Sequence, residues 1–344
     1  MCSVLTKTVF VGLDYHAESV QVCVMSSDQK VLANRSCRND WRAVVGVVRA
    51  ACGTEVQVQA AIESCCGAAD LADELIAQAQ WSVNLAHPGY VARIKQSPDK
   101  TDYSDARLLA DLQRVGYLPR VWLAPEDVRE LRRLVRYRQT LTKERKNLKL
   151  QIGATLREAR QKPPADLNPW TKAWLAWLLD TAELSPNARL IMGCRLARLA
   201  ALATELRAVE RLLAQQTENN PLVQKLITLP GIGLVTAVTI RAEIGRFDRF
   251  RTGKQLARFC GLSPRNASSG QRQADAGLIK AGNPQLRTVL VEAAHRLIRY
   301  DERWTKLAGQ LRLRGKPMSV TTAAIANRWV RWLFHQLQPA QLAA

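Results

Sequence analysis

Hydrophobic and polar residues alternate along the first third of the chain, in a pattern that predicts β-strands. Three runs rich in β-branched residues, separated by short polar turns, lie at about 8–14, 19–25 and 30–36. This pattern is typical of a three-stranded meander. A helix, a strand, a second helix and a short strand are then predicted in that order at 40–51, 54–64, 68–80 and 81–86. Such a succession predicts an α/β domain with a mixed sheet.

The pattern changes at Pro125, where long stretches of helical periodicity begin. The first stretch ends at Pro163-Pro164, and the periodicity resumes at 169–180 and 186–217. Apolar residues recur along the first stretch at positions 131, 134, 135, 141, 148 and 152. They predict a long helix that pairs with another, as in a coiled coil, within or between subunits. We therefore expect an α/β domain over 1–124, a long-helix assembly or linker region over 125–220 and an all-α domain over 221–344.

The net charge of the chain is +20, which favours binding to a polyanion such as a nucleic acid. Residues 1–110 contain 10 basic and 12 acidic residues, so the rest of the chain carries the whole excess. Basic residues on the long helix are candidates for nucleic-acid binding, with a solvated helix face as an equal alternative. The candidates are Arg132, Arg133, Arg136, Lys143 and Lys146.

The cysteines, the histidines and the apolar runs exclude several other classes. The eight cysteines form no C-x-x-C pair and the four histidines lack paired spacing, so we expect no zinc site and no catalytic histidine. No apolar run approaches the length of about 18 residues that a membrane span needs. No basic segment followed by an apolar one opens the sequence. These features predict a cytoplasmic protein without membrane contact.

Four acidic residues could meet at one end of the predicted sheet. Asp14 follows the first apolar strand and Glu63 lies near the end of the fourth, so the two meet if these strands are neighbours. Asp102 and Asp105 stand three residues apart on one face of a predicted helix. Taken alone, this pair is typical of a helix N-terminus. A cluster of four carboxylates would repel itself unless divalent cations bound there, and oxygen ligands favour Mg²⁺ or Mn²⁺.

The segments around these four residues resemble a known family. The segments are "GLD" on the first strand, "IES" on the fourth and "KTDYSDARLLA" at the helix. They are similar to the DEDD motif of the RuvC-like, RNase H-fold domain in recombinases of the insertion-sequence-110 family. The resemblance implies that Asp14, Glu63, Asp102 and Asp105 are catalytic metal ligands.

A hairpin in the last third of the chain, "LITLPGIGLVTAVTIRAEIG" at 226–245, resembles a helix-hairpin-helix. Gly231 and Gly233 permit positive φ and close approach of the backbone. The N–H groups at the start of the second helix could therefore bind a phosphate of DNA. A plain αα-hairpin is the alternative.

The stretch 256–298 contains G-L-x-P, S-G, K-x-G-N and L-R in that order, as does the transposase domain of the same family. A Ser-Gly pair in such a loop is usually only a turn. The resemblance nevertheless implies that Ser269 is a catalytic nucleophile, with Ser268 as the second choice. Charge and placement make Arg272, Lys280 and Arg287 candidate phosphate ligands.

The resemblance as a whole implies a bacterial DNA recombinase that acts at the nucleoid. Such an enzyme moves an insertion sequence through a covalent serine–DNA intermediate and is guided by a structured bridge RNA. A phosphoserine ester conserves the bond energy, and the sequence contains no G-x-x-x-x-G-K-[ST] loop for ATP. The resemblance also implies a homo-oligomer, a dimer or a tetramer, with an active site shared between subunits.

Two alternatives stay open at this point. One is a RuvC-like nuclease that resolves DNA junctions with metal-bound water as the nucleophile. The other is a non-catalytic nucleic-acid-binding protein in which the acidic cluster is a relic.

Overall fold

A computed structural model of the chain describes residues 7–95, 101–266, 275–279 and 281–337. The chain divides into two compact units between Ala124 and Pro125, where the sequence pattern changes. The first unit is an α/β domain with a mixed sheet and the second is mostly helical, as predicted. Among the described helices, none combines the length and the apolar character that a membrane span requires.

The first unit is built on a six-stranded sheet with the order β3-β2-β1-β4-β5-β6. The strands are β1 (Lys7–Tyr15), β2 (Ser19–Ser26), β3 (Val31–Arg38), β4 (Val56–Glu63), β5 (Ser82–Ala86) and β6 (Arg120–Val121). Strands β1, β2 and β3 are antiparallel, β4 is parallel to β1, and β5 is parallel to β4. The predicted meander and the predicted contact between the first and fourth strands are therefore confirmed. Strand β6 is too short to leave a pattern in the sequence.

Helices cover both faces of this sheet. They are α1 (Trp41–Cys52), α2 (Ala68–Ala79), α3 (Pro88–Ile94) and α4 (Asp102–Arg114). Alternation along β2 separates the two faces, because Val22 belongs to a core with α1 and α2, whereas Cys23 packs against Ala106 and Ala110 of α4. The sheet is thus buried on both sides, and α4 crosses β1 and β2.

The second unit contains two long helices and a set of shorter ones. They are α5 (Glu126–Glu158), α6 (Lys172–Ala176) with a π-helical turn (Trp177–Thr181), α7 (Pro186–Thr217), α8 (Pro221–Ile227), α9 (Leu234–Ile244), α10 (Gly253–Phe259), α11 (Pro284–Tyr300), α12 (Glu302–Leu313) and α13 (Met318–Gln336). Helix α5 packs along α7, and Leu141 and Leu213 are both buried in the shared core. The long helix therefore has its partner within the same chain.

The last third of the chain is not purely helical, so the expectation of an all-α domain is wrong in one place. Strands β7 (Pro264–Asn266) and β8 (Asp275–Leu278) form a two-stranded antiparallel sheet between α10 and α11. Strands of three and four residues are too short for an alternating pattern to emerge from a turn-rich stretch.

Candidate metal centre and nucleic-acid contacts

Two of the predicted carboxylates lie at the carboxyl ends of neighbouring parallel strands. In the register between β1 and β4, Leu13 is paired with Ile62. The residues that follow, Asp14 and Glu63, therefore stand side by side at one edge of the sheet. Strand pairing alone places these two acidic residues together.

The other two carboxylates lie in the first turn of α4. Thr101 is the N-cap, because its hydroxyl accepts a hydrogen bond from the Ser104 N–H at 3.2 Å, and Asp102 and Asp105 follow it. The interpretation of this pair as a helix N-terminus is therefore correct as far as it goes. It does not exclude a metal site, because Thr101 already caps the helix and both carboxylates can serve another purpose.

Gly12 allows α4 to lie directly on β1. A Cβ atom at Gly12 would lie 1.8 Å from the carbonyl oxygen of Ala106 and 2.6 Å from the backbone nitrogen of Ala110. Any side chain would therefore push the helix away from the strand. Because the backbones come this close, the first turn of α4 is held near the end of β1, where Asp14 lies.

Asp14, His16 and Asp102 form a cluster whose potential ligand atoms all lie within 4.8 Å of one another. The Nε2 atom of His16 is 3.5 Å from Oδ2 of Asp14 and 3.3 Å from Oδ2 of Asp102. The prediction that no histidine belongs to the site is therefore not supported, since it rests only on the lack of a second histidine at paired spacing. The available signal was different, since alternate residues at a strand end point to the same face and His16 is two residues after Asp14.

The negative charges of the cluster lie close enough to affect the pKa of Asp14. Burial raises the pKa of Asp14, the negative charges of Asp102 and Asp105 raise it further, and His16 opposes both effects. Burial also raises the pKa of the Cys65 thiol, with smaller contributions in the same direction from Glu63 and Asp14. The carboxylates are thus close enough to oppose one another's ionisation, and a divalent cation would relieve this repulsion. Carboxylate oxygens with one imidazole suit such an ion.

Lys95 supplies a positive charge at the fourth carboxylate. Its Nζ atom is in contact with Oδ1 of Asp105, and both side chains are largely buried. Lys95 follows the last residue of α3, and no sequence motif distinguishes it from other lysines. The ammonium group of Lys95 therefore balances the charge of Asp105.

The predicted nucleophile lies outside the described residues. Ser269, its alternative Ser268, Arg272 and Lys280 all belong to the segments that are not described. Arg287 is described, on the first turns of α11.

The motifs that flank the serine loop meet through two glycines. A Cβ atom on Gly282, where φ is +144°, would lie 2.6 Å from the Cα atom of Gly261. A Cβ atom on Gly261, where φ is +68°, would lie 3.0 Å from Nε of Arg287. The G-L-x-P and K-x-G-N motifs therefore need glycine because two backbones and a guanidinium group share a small space.

Part of the predicted basic row on α5 is engaged within the protein. Glu243 is only 2% exposed, and its carboxylate accepts hydrogen bonds from Arg136 at 2.8 and 3.0 Å and from the side-chain amide of Asn283 at 2.7 Å. Arg132 lies 3.7 Å from the same carboxylate, and Arg133 is bound by the carboxylates of two nearby glutamates on its own helix. These three arginines therefore differ from the expected row of free phosphate ligands.

Lys143 and Lys146 match the expectation better. Both side chains are exposed, and neither has an acidic partner within 4 Å among the residues that the structure describes. The predicted glycines lie between α8 and α9, where Gly231 has a φ of +75° and Gly233 is the N-cap of α9. Their role in binding a nucleic acid stays a prediction.

Comparison with known proteins identifies the family. Residues 223–308 match the model of the transposase IS116/IS110/IS902 family, and residues 11–160 match the model of the DEDD transposase domain of IS110 elements. Together the two models span the carboxylate cluster and the serine region.

Several curated relatives are transposases by name. A putative transposase of Sinorhizobium fredii, y4qE, is 29% identical over 70% of this chain and 65% of its own length. The transposase for insertion sequence element IS1111A of Coxiella burnetii is 24% identical over 92% of this chain and 86% of its own length. The transposase for IS1328 of Yersinia enterocolitica is 27% identical over 79% of this chain and 81% of its own length. On the two family models and these relatives, the chain belongs to the IS110-type family of insertion-sequence transposases.

Proposed function

We propose that this protein cuts and rejoins DNA at a divalent-metal centre held by Asp14, Glu63, Asp102 and Asp105. One observation carries the proposal, namely the convergence of two strand ends and one helix N-terminus on a cluster of acidic groups. A fold that only had to be stable would not bring these charges together, because their mutual repulsion is unfavourable. The sheet, in which β1, β2 and β3 are antiparallel and β4 and β5 run parallel to β1, supports a RuvC-like domain.

The carboxylates of the cluster would bind the cation, and the neighbouring residues would position these carboxylates. When bound, Mg²⁺ or Mn²⁺ supplies charge stabilisation at the phosphoryl oxygens of an in-line displacement. His16 lies between Asp14 and Asp102 and orients both carboxylates. Lys95 is in contact with Asp105 and would hold that carboxylate in position.

Ser269 is proposed as the nucleophile, on the strength of the family resemblance. Its Oγ atom forms a bond to phosphorus while the bond from phosphorus to one deoxyribose oxygen breaks. The released DNA hydroxyl takes up the proton that the serine loses. Rejoining reverses these changes when a DNA hydroxyl attacks the phosphoserine ester, so no ATP is consumed. Each step exchanges one phosphoester bond for another, so its energy is retained for the exchange of strands.

The target of the reaction is proposed to be chosen by a bridge RNA bound to a homo-oligomer, as the resemblance implies. Purification of the protein without nuclease treatment, followed by sequencing of the RNA that copurifies, tests this part. Recovery of one structured RNA encoded next to the gene is expected. Recovery of bulk cellular RNA alone would contradict the proposal of a guide RNA.

A second candidate is a junction nuclease that uses water as the nucleophile. The observation in its favour is that Asp14, His16 and Asp102, all residues of the first unit, form a cluster. Such a cluster could activate water unaided.

Trapping of a covalent adduct decides between the two candidates. The protein is incubated in Mg²⁺ with copurified RNA and DNA that contains the ends of the element, and is then denatured. We expect DNA linked to the protein, no linkage for Ser269→Ala, and a much smaller effect of Ser268→Ala. Normal strand cleavage by Ser269→Ala would establish water as the nucleophile, and loss of the adduct in Ser268→Ala alone would move the assignment by one residue.

A further inference from the structure

The helical unit contains a large groove between α5, α9 and α11, with a volume of about 1040 Å³. Six basic residues and two glutamates lie along its walls. One of the glutamates, Glu210, is 2.6 Å from a guanidinium nitrogen of Arg138, so its charge is balanced locally. The groove is therefore a strongly positive surface.

Not all of the groove's cations are engaged within the protein. Arg136 and Arg138 are paired with carboxylates. Lys143, Lys146 and Arg296 are exposed, and no carboxylate lies within 4 Å of them in the part of the chain that the structure describes. Lys143 and Lys146 are three residues apart on α5 and so share one helix face. These three side chains are available to an anion that enters the groove.

Arg296 stands at the uncapped N-terminus of α9. The N-cap of α9 is Gly233, which has no side chain to accept a hydrogen bond from the first turn. The stem of Arg296 packs on Gly231, where an added Cβ would lie 2.8 Å from the Arg296 Cβ, and its Nη1 lies 3.9 Å from the Cβ position at Gly233. A guanidinium group and a helix N-terminus are both positive, so their proximity is unfavourable unless an anion binds between them. This is an independent indication of a phosphate site.

The lining of the groove distinguishes between kinds of nucleic acid. None of the described residues that line it is aromatic. Binding of single strands relies on stacking of bases against aromatic rings, and nothing in this lining offers such a ring. Cations and backbone N–H groups, by contrast, contact phosphates without reading bases. The groove therefore suits the backbone of a duplex.

We propose that this groove binds the sugar–phosphate backbone of duplex DNA. One phosphate lies at the N-terminus of α9 beside Arg296, and nearby phosphates are bound by Lys143 and Lys146 on α5. The inference rests on the proposed DNA recombination for the identity of the ligand. It adds Arg296, and the joint use of α5, α9 and α11, to the residues expected from the sequence.

The test measures the affinity of the full-length protein for duplex DNA by fluorescence anisotropy at several salt concentrations, with EDTA present so that no cleavage occurs. The groove variant carries Lys143→Gln, Lys146→Gln and Arg296→Gln. The control variant removes the same charge from exposed residues at the end of α12 and beyond, with Arg312→Gln, Arg314→Gln and Lys316→Gln. Because binding releases counterions from the DNA, the logarithm of the association constant decreases with the logarithm of the salt concentration. The magnitude of this slope should decrease by about 0.9 for each phosphate contact that is lost.

We expect a decrease of roughly 2 to 3 in this slope for the groove variant and little change for the control. Arg296→Gln alone should lower the slope by about 1, which keeps the test valid if the triple variant folds poorly. Equal slopes for the two triple variants would overturn the proposal, and so would a loss of affinity for duplex RNA with unchanged affinity for DNA. Because binding is measured in EDTA, failure of the proposed chemistry would appear only as a lack of strand cleavage by the wild-type protein in Mg²⁺ and would leave these slopes unchanged.

Discussion

Gly12→Ala should push α4 away from the end of β1. The substitution should thereby distort the metal centre although no acidic residue is replaced. The added Cβ would start 1.8 Å from the carbonyl oxygen of Ala106, whereas ordinary contact begins at 3.4 Å. The helix must therefore move by about 1.5 Å, because backbone atoms cannot rotate out of the way. Asp102 and Asp105 lie on this helix and would move with it, away from Asp14.

Two magnitudes follow from this displacement. Overpacking typically costs about 1–3 kcal/mol of stability, and a clash between a strand and a helix backbone belongs at the upper end of that range. Misplacement of catalytic groups by about 1 Å can lower a rate roughly 100-fold. We therefore expect the free energy of unfolding of Gly12→Ala to fall by about 3 kcal/mol. Strand cleavage in Mg²⁺ should fall about 100-fold in the protein that remains folded.

Gly46→Ala is the matched control. Gly46 lies within α1, and a Cβ there would meet no heavy atom within 4 Å. Alanine is favoured over glycine inside a helix by about 0.5–1 kcal/mol, so this variant should be slightly more stable and equally active. Urea unfolding and single-turnover cleavage measure the two effects. Normal stability and normal cleavage in Gly12→Ala would refute the close contact of α4 with β1 and the argument built on it.

Three further substitutions test separate contacts. Asp102→Asn removes one charge from the crowded cluster, so calorimetry should show loss of divalent-ion binding without loss of stability; marked unfolding with retained binding would identify a purely structural residue. Arg136→Ala leaves the buried Glu243 with the amide of Asn283 at 2.7 Å and Arg132 at 3.7 Å. It should lower the free energy of unfolding by about 2–3 kcal/mol, less than for a fully buried pair because half of Arg136 is exposed. The salt dependence of DNA binding should not change in Arg136→Ala, and a reduced slope would restore Arg136 as a phosphate ligand. Lys95→Met should raise the affinity for divalent ions, because no ammonium group has to leave Asp105; weaker binding would show that Lys95 and the ion act together.

The strand framework and the two long helices were predictable because their signals are local. Alternation over eight or nine residues defines β1, β2 and β4, and helical periodicity over more than 30 residues defines α5 and α7. The neighbourhood of Asp14 and Glu63 followed from the expected pairing of the first and fourth strands. These are cases in which one segment carries enough information to determine its own conformation.

The contacts made by individual side chains were harder to predict from the sequence. Arg136 appeared to be one cation in a basic row, yet its partner Glu243 is 107 residues away in sequence. His16 lacks a second histidine at ligand spacing and joins Asp102 only because α4 crosses the end of β1. Gly12 within a strand signals a close approach, but its sequence neighbours do not reveal that α4 is the element that approaches. Each of these contacts depends on which elements become neighbours after folding.

The two aspartates at the start of α4 show how a structural and a functional role can coincide. A helix N-terminus reduces the cost of placing carboxylates there, because its exposed N–H groups are partly positive. Thr101, however, already caps α4, so the helix does not require Asp102 or Asp105 as a cap. Asp105 is balanced by Lys95 and Asp102 lies beside His16, which shows that the fold supplies further positive or hydrogen-bonding groups to keep the pair in place. The helix N-terminus therefore explains why the charges are tolerated, and the convergence with Asp14 explains their position.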